Sequence, residues 1–110
     1  MITKKAIIEI NKKFDNGSII NGSSLEFALS STHKTKDWVK KLSYIIRSIL
    51  IDHVFEEGNK RTAAAVVFYF FEEYQVAYDP YKVDKAIAEI TFKNINSIEH
   101  IRRKLKDAVR

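Results

Sequence analysis

A histidine, a carboxylate, a Gly-Asn pair and two adjacent cations stand in one short stretch, HVFEEGNKR from His53 to Arg61, and the apolar run AAAVVFYFF follows almost at once. Each of those residue types has a use in phosphoryl chemistry. The first amides of a helix lack intrahelical acceptors and lie at the positive end of its dipole, so a helix opening at Asn59 or Lys60 presents an anion site. Gly58 admits a bound group close to the backbone, Asn59 can hydrogen-bond to it, and Lys60 and Arg61 add charge, Arg61 in fork geometry. Glu57 beside a nucleotide's phosphates is the kind of ligand that magnesium uses, with waters and phosphate oxygens filling its other positions. His53 supplies an imidazole that can take a proton from an incoming hydroxyl. Base, metal carboxylate and anion cradle in one segment point to phosphoryl or nucleotidyl transfer.

The same residues have blander readings. His53 alone would be a helix-end histidine bonded to a carbonyl, and Glu57 alone an ion-pair partner of the cations around it. Glu56 is assigned to the surface, and Phe55 is core on either reading. Arg61 could pair with Glu72 or Glu73, but cations at a helix start oppose the dipole, which favours a bound anion. His33 and His100 have no partner at metal-ligand spacing and are read as surface residues.

Helices must position this segment. Thr3 can cap a first helix with Ala6, Ile7, Ile10 and Phe14 on its apolar side, stopped by Asn16-Gly17. Ser23 or Ser24 can cap a short helix carrying Leu25, Phe27, Ala28 and Leu29, and THKTKD reads as a polar loop. Asp37 begins a longer helix with the stripe Trp38, Leu42, Ile45, Ile46, Ile49 and Leu50. Extending that period places His53 on the buried side of the helix's end. The helix from Asn59 or Lys60 to about Tyr74 is apolar all round and belongs at the centre of a bundle. Asp79-Pro80 starts a helix bearing Val83, Ala86, Ile87 and Ile90, and Asn96 with Glu99 forms a capping box for the last one, with Ile98, Ile101 and Leu105. Trp38, the tyrosines and the phenylalanines are assigned to the core. QVAYD could form a short extended piece, but nothing alternates as a strand should, so the class is all-α.

Composition sets the outer limits. The 110 residues suffice for one core and for a single domain over 1–110. Without cysteine there is no disulfide and no thiolate metal site, and a cytoplasmic location is the default expectation. The first residues lack the apolar core and cleavage site of a signal peptide, and no apolar run approaches the roughly 20 residues that span a bilayer, so no membrane segment is expected. Nineteen Lys and Arg against 14 Asp and Glu give +5, but the cations are spaced along helices as solvated faces. A nucleic-acid partner is not expected.

The run His53, Phe55, Glu57, Gly58, Asn59, Lys60, Arg61 resembles the Fic/Doc signature, His-x-Phe-x-Asp/Glu-Gly/Ala-Asn-Gly/Lys-Arg. Thr62-Ala63 is similar to the death-on-curing (Doc) branch, and the order of helices before and after the motif fits the same family. The resemblance implies a compact Fic/Doc helical bundle with a central buried helix. It also implies that His53 is the base toward a target hydroxyl, Glu57 the magnesium ligand, and Gly58, Asn59, Lys60 and Arg61 the phosphate-binding turn. Arg61 then shares in catalysis, and Phe55 is the buried anchor of the loop.

Members that transfer AMP commonly have Gly where this chain has Lys60, and a second Arg where it has Ala64. Both departures match the Doc branch, whose members transfer the terminal phosphate of ATP. The resemblance thus implies a kinase acting on elongation factor Tu or its counterpart and arresting translation. No Ser/Thr-x-x-x-Glu-Gly/Asn inhibitory motif is present, which implies a separate antitoxin, Phd-like or equivalent, binding an apolar groove among the N-terminal helices. A Fic-type AMP transferase and a catalytically silent nucleotide- or peptide-binding module remain as alternatives.

Overall fold

Thr3 opens the first helix as its position predicts, accepting a hydrogen bond from the Ala6 amide at 3.1 Å. The computed structural model describes residues 2–110, and among them it forms an all-α fold of six helices. These are α1 (Lys4–Asn11), α2 (Gly22–Ser31), α3 (Trp38–Leu50), α4 (Asn59–Glu73), α5 (Pro80–Phe92) and α6 (Ile98–Lys106). None is long and apolar enough to cross a membrane. The expected extended piece near QVAYD appears as an antiparallel bridge between Tyr78 and Val109.

Side-chain caps fix most of the boundaries. Asp79 accepts from the Tyr81 amide at 3.0 Å, with Pro80 supplying the preset φ of a first turn. α6 is capped by Ser97, which accepts from the His100 amide at 3.3 Å, one residue later than the expected Asn96. Neither Ser23 nor Ser24 caps α2, which opens at Gly22 with no side-chain cap. The Ser24 hydroxyl reaches instead to the Asp52 carboxylate and to Ser48. α1 also ends earlier than Asn16-Gly17 suggests, because the buried side chain of Asn11 accepts from the Gly17 amide at 2.9 Å and folds the chain back.

Helix α3 packs against α2, α4, α5 and α6, and α4 against α1, α3 and α5, so these two make the centre. The predicted stripe of α3 is buried, with Leu42, Ile45, Ile46 and Ile49 sealed from solvent. Facing it, α4 buries Ala63, Val66, Val67, Phe70 and Phe71. Each of the valines and phenylalanines contributes about 1.5–3 kcal/mol through burial. Trp38 stacks on Tyr74 with ring centroids 4.7 Å apart and meets Phe71 edge-on at 5.9 Å, joining the start of α3 to the end of α4. One strip of α4 stays partly open, where Ala64, Ala65 and Phe68 are half-buried. Several aromatics assigned to the core are exposed, most of all Phe92 at 90% and Tyr81 at 79%. Tyr81 and Phe92 lie on the outer face of α5, whose inner face of Val83, Ala86, Ile87 and Ile90 is buried as expected.

Asp37 joins the two ends of the fold. Its Oδ1 accepts the Val39 and Lys40 amides at 3.0 and 3.1 Å, while Oδ2 receives Arg102 of α6 at 2.7 Å. Partial burial raises the pKa of this carboxyl, yet the Arg102 hydrogen bond and charge together with the two amides outweigh it and hold the pKa below the ordinary value. A depressed folded pKa stabilises above the unfolded value of about 4, and that contribution is lost as pH falls through the folded one. Asp37→Ala is expected to cost about 1–2 kcal/mol at neutral pH, mainly through the cap, since the part-exposed ion pair adds little. Denaturant titration checks this, and the gap to wild type should narrow as pH falls below the ordinary carboxylate range and the wild-type carboxylate protonates.

Candidate active site

The segment between α3 and α4 is pulled onto the core by Val54 and Phe55, both fully buried. Its backbone pairs with the segment before α2. The Ile20 and Asn21 amides donate to the Val54 carbonyl at 2.8 and 3.1 Å, and the Glu56 amide donates to the Ser18 carbonyl at 2.9 Å. Phe55 is thus core, as expected on either reading of the segment.

Asn59 closes the loop from the other side. Its Oδ1 accepts the Phe55 amide at 3.1 Å and its Nδ2 donates to the Phe55 carbonyl at 2.8 Å, so this side chain holds the turn together. Asn59 is expected to hydrogen-bond to a phosphate; two of its side-chain directions hold the loop, and one Nδ2 hydrogen and the backbone N–H have no protein partner among the described residues.

Gly58 precedes α4 with a left-handed φ of 77°, and a Cβ there would stand 3.1 Å from Asn11 Nδ2. A non-glycine residue would meet both backbone strain and a tight contact. No side chain caps α4, and its first turn carries no acid. Thr62 has the first amide bonded to a backbone carbonyl, that of Gly58 at 2.9 Å. The amides of Asn59, Lys60 and Arg61 are left open, and the left-handed to right-handed succession from Gly58 to Asn59 turns them into an anion-binding nest.

His53 departs from expectation. The period of α3 placed it on the buried side, but α3 ends at Leu50 and His53 is exposed with a left-handed φ of 51°. Asn21 donates to the Asp52 carbonyl at 2.9 Å and Ser24 to the Asp52 carboxylate, and these contacts draw the chain off the helical path. Val54 takes the buried place instead.

Even so, His53 reaches the same cleft as the turn. A cavity of about 470 Å³ is lined by His53, Glu57, Gly58, Asn59, Lys60 and Arg61, together with Phe14, Asp15, Leu50 and Thr91. Every predicted site residue except the buried Phe55 is thus brought to one place. Phe14 and Asp15, from the turn after α1, and Thr91, from α5, were not foreseen. Phe14 had been assigned to a core stripe, yet it is 40% exposed because α1 ends before reaching it.

None of the ion pairs among the described residues includes Glu57, Lys60 or Arg61, and Glu72 accepts from the Tyr78 hydroxyl at 2.8 Å. The blander readings of Glu57 and Arg61 as ion-pair partners therefore have no counterpart in the structure. Among the described residues no group of three or more metal-ligating side chains gathers. The carboxylates that line the cleft, Glu57 and Asp15, are hard oxygen donors of the kind that suits magnesium rather than a softer metal.

Beside this cleft lies an apolar groove of about 360 Å³, floored by Ala64, Ala65 and Phe68 of α4 and by Ile87 and Ala88 of α5, with Asp84 at its edge. Phe14, Lys60 and Arg61 line both cavities, so cleft and groove are continuous. Comparison with protein-family models, with curated proteins and with solved structures gives no match to this chain.

Proposed function

We propose that the chain is a Doc-like toxin that transfers the terminal phosphate of ATP to a hydroxyl of a target protein in the cytoplasm, elongation factor Tu or its counterpart, and so arrests translation. What supports this reading most is the convergence of His53, Glu57, Lys60, Arg61 and the open amides of α4 on one cleft. The terminal phosphate rests on the amides of Asn59, Lys60 and Arg61, with the Lys60 and Arg61 side chains adding charge. His53 takes the proton of the target hydroxyl as its oxygen bonds to the γ-phosphorus. The bond from that phosphorus to the β–γ bridging oxygen breaks, ADP leaves with the electron pair, and Arg61 and the amides stabilise the charge on the transferring group. Magnesium held by Glu57 and phosphate oxygens would neutralise phosphate charge.

Two positions favour transfer of phosphate over transfer of AMP. Lys60 stands where the AMP-transferring pattern has Gly, and Ala64 lines the apolar groove, outside the phosphate cleft, where that pattern has a second Arg. The groove itself suits the apolar face of a helix from a Phd-like antitoxin, along α4 and α5 rather than among the N-terminal helices alone. An occupant covering Phe14, Lys60 and Arg61 would also close the cleft.

The test is the intact mass of purified elongation factor after incubation with the protein, magnesium and ATP. Gain of one phosphate is the expected result. Gain of AMP would move the chain to the nucleotidyl-transferring reading, and a panel of translation factors left without any added mass would favour a silent binding module.

A further inference from the structure

Asn11 is a fully buried polar side chain, distant in sequence from the motif, with both of its donors and its acceptor oxygen engaged around the loop. Its Oδ1 accepts the Gly17 amide at 2.9 Å, and its Nδ2 donates to the Glu57 carbonyl and to Thr62 Oγ1, each at 3.0 Å. One side chain thus ties the end of α1, the turn after it, the magnesium-side residue of the loop and the first turn of α4. We propose that Asn11 is the positioning residue of the anion-binding turn, a role that rests on the phosphate-binding reading above.

Asn11 acts on the peptide plane between Glu57 and Gly58. A trans peptide points its C=O and its N–H in opposite directions. Because the Glu57 carbonyl is fixed toward buried Asn11, the Gly58 amide on the same plane is turned the other way, outward from the core. It joins the open amides of Asn59, Lys60 and Arg61 in one nest. The second Nδ2 hydrogen bond, to Thr62, locks that plane to the body of α4, so the nest is formed before any ligand arrives. Preorganised donors of this kind need no rearrangement on binding.

The same contact adds to the positive φ in favouring glycine at 58, since a Cβ would crowd Asn11 Nδ2 at 3.1 Å. Asn11 acts through backbone and touches no ligand. Losing its donors would take the protein partner from the part-buried Glu57 carbonyl and free the plane to rotate.

Asn11→Asp tests this, because it keeps the oxygen facing the Gly17 amide and replaces the donor by an acceptor. Ser43→Ala is the control. It removes an equally buried hydroxyl, bonded to the Val39 carbonyl at 2.7 Å, from the middle of α3. In proton–nitrogen NMR spectra of the free proteins, Asn11→Asp should shift or broaden the amides of Gly58 to Arg61 and leave those of α6 in place. Titration with ATP and magnesium should show affinity lowered by roughly tenfold, with the control within about twofold of wild type. A folded Asn11→Asp protein with unmoved Gly58 to Arg61 amides and wild-type affinity overturns the proposal. Should that variant not fold, Thr62→Val removes the other end of the lock, is expected to shift the same amides, and counts against the proposal if they stay in place. Wild type that does not bind ATP overturns the phosphate reading instead, and the spectra of the free proteins still decide whether Asn11 sets the turn.

Discussion

Replacing His53 by asparagine is expected to lower phosphate transfer by about 10²–10⁴-fold while leaving the melting temperature and ATP affinity near wild type. The choice of asparagine follows from the backbone. His53 has a φ of 51°, a region that asparagine tolerates well and that costs alanine more. His53→Ala would mix loss of the base with local strain, and a fall in its activity could come from either. Because His53 is exposed, its removal opens no cavity. Asparagine cannot take a proton from the target hydroxyl, so transfer should fall with binding intact. Measured as initial rates beside ATP titrations, this separates a chemical role from a binding one. An asparagine variant that kept wild-type transfer would remove His53 from the mechanism and with it the main support for the kinase reading.

The parts of this molecule that were legible in its sequence are those with local causes. Thr3, Asp37 and Asp79-Pro80 announce helix starts because a cap needs only its own residue and the amides two or three positions on. The α3 stripe is readable for the same reason, since its period continues within one unbroken helix. The His53 to Arg61 segment could be read as a candidate site because its chemistry is contiguous and its open amides belong to a helix that the following apolar run makes certain to form.

What escaped depends on contacts across the chain. Extending the α3 period to His53 fails because the helix ends at Leu50, and Asn21 and Ser24 redirect the strand of chain around Asp52. Ser24 has the residue type of a cap but spends its hydroxyl on that redirection. Asn59 looks like a phosphate ligand, but nothing in its spacing announces that the Phe55 backbone takes two of its side-chain hydrogen bonds. Asn11, Phe14, Asp15 and Thr91 carry no signal in their spacing, because they meet the motif only after α1 and α5 pack beside α4. The exposed rings of Tyr81 and Phe92 show the same limit: hydrophobicity marks what can be buried and leaves open which side of a helix finds a neighbour.

Phe55→Ala should be the most destabilising change in the loop, lowering the free energy of unfolding by about 3–5 kcal/mol. Phe55 is fully buried within the core cluster shared by the helices, so truncation leaves a cavity there rather than a surface dent. A domain of this kind has about 5–15 kcal/mol in all, and the variant should approach partial unfolding. The local consequence is sharper still. Asn59 clips the turn through both backbone groups of Phe55, so a shift of that backbone breaks the clip and disorders the amides that α4 offers to a phosphate. ATP affinity should therefore drop beyond what the unfolded fraction accounts for, and Phe55→Leu should recover much of both losses because it refills most of the volume. Urea titrations paired with ATP binding at low denaturant measure the two effects on one sample. Phe92→Ala, which removes a ring of the same size from the open face of α5, should change stability by less than about 0.5 kcal/mol. A Phe55→Ala protein as stable as that control would mean that the ring does not anchor the loop, and that the turn is held by Asn59 and Asn11 alone.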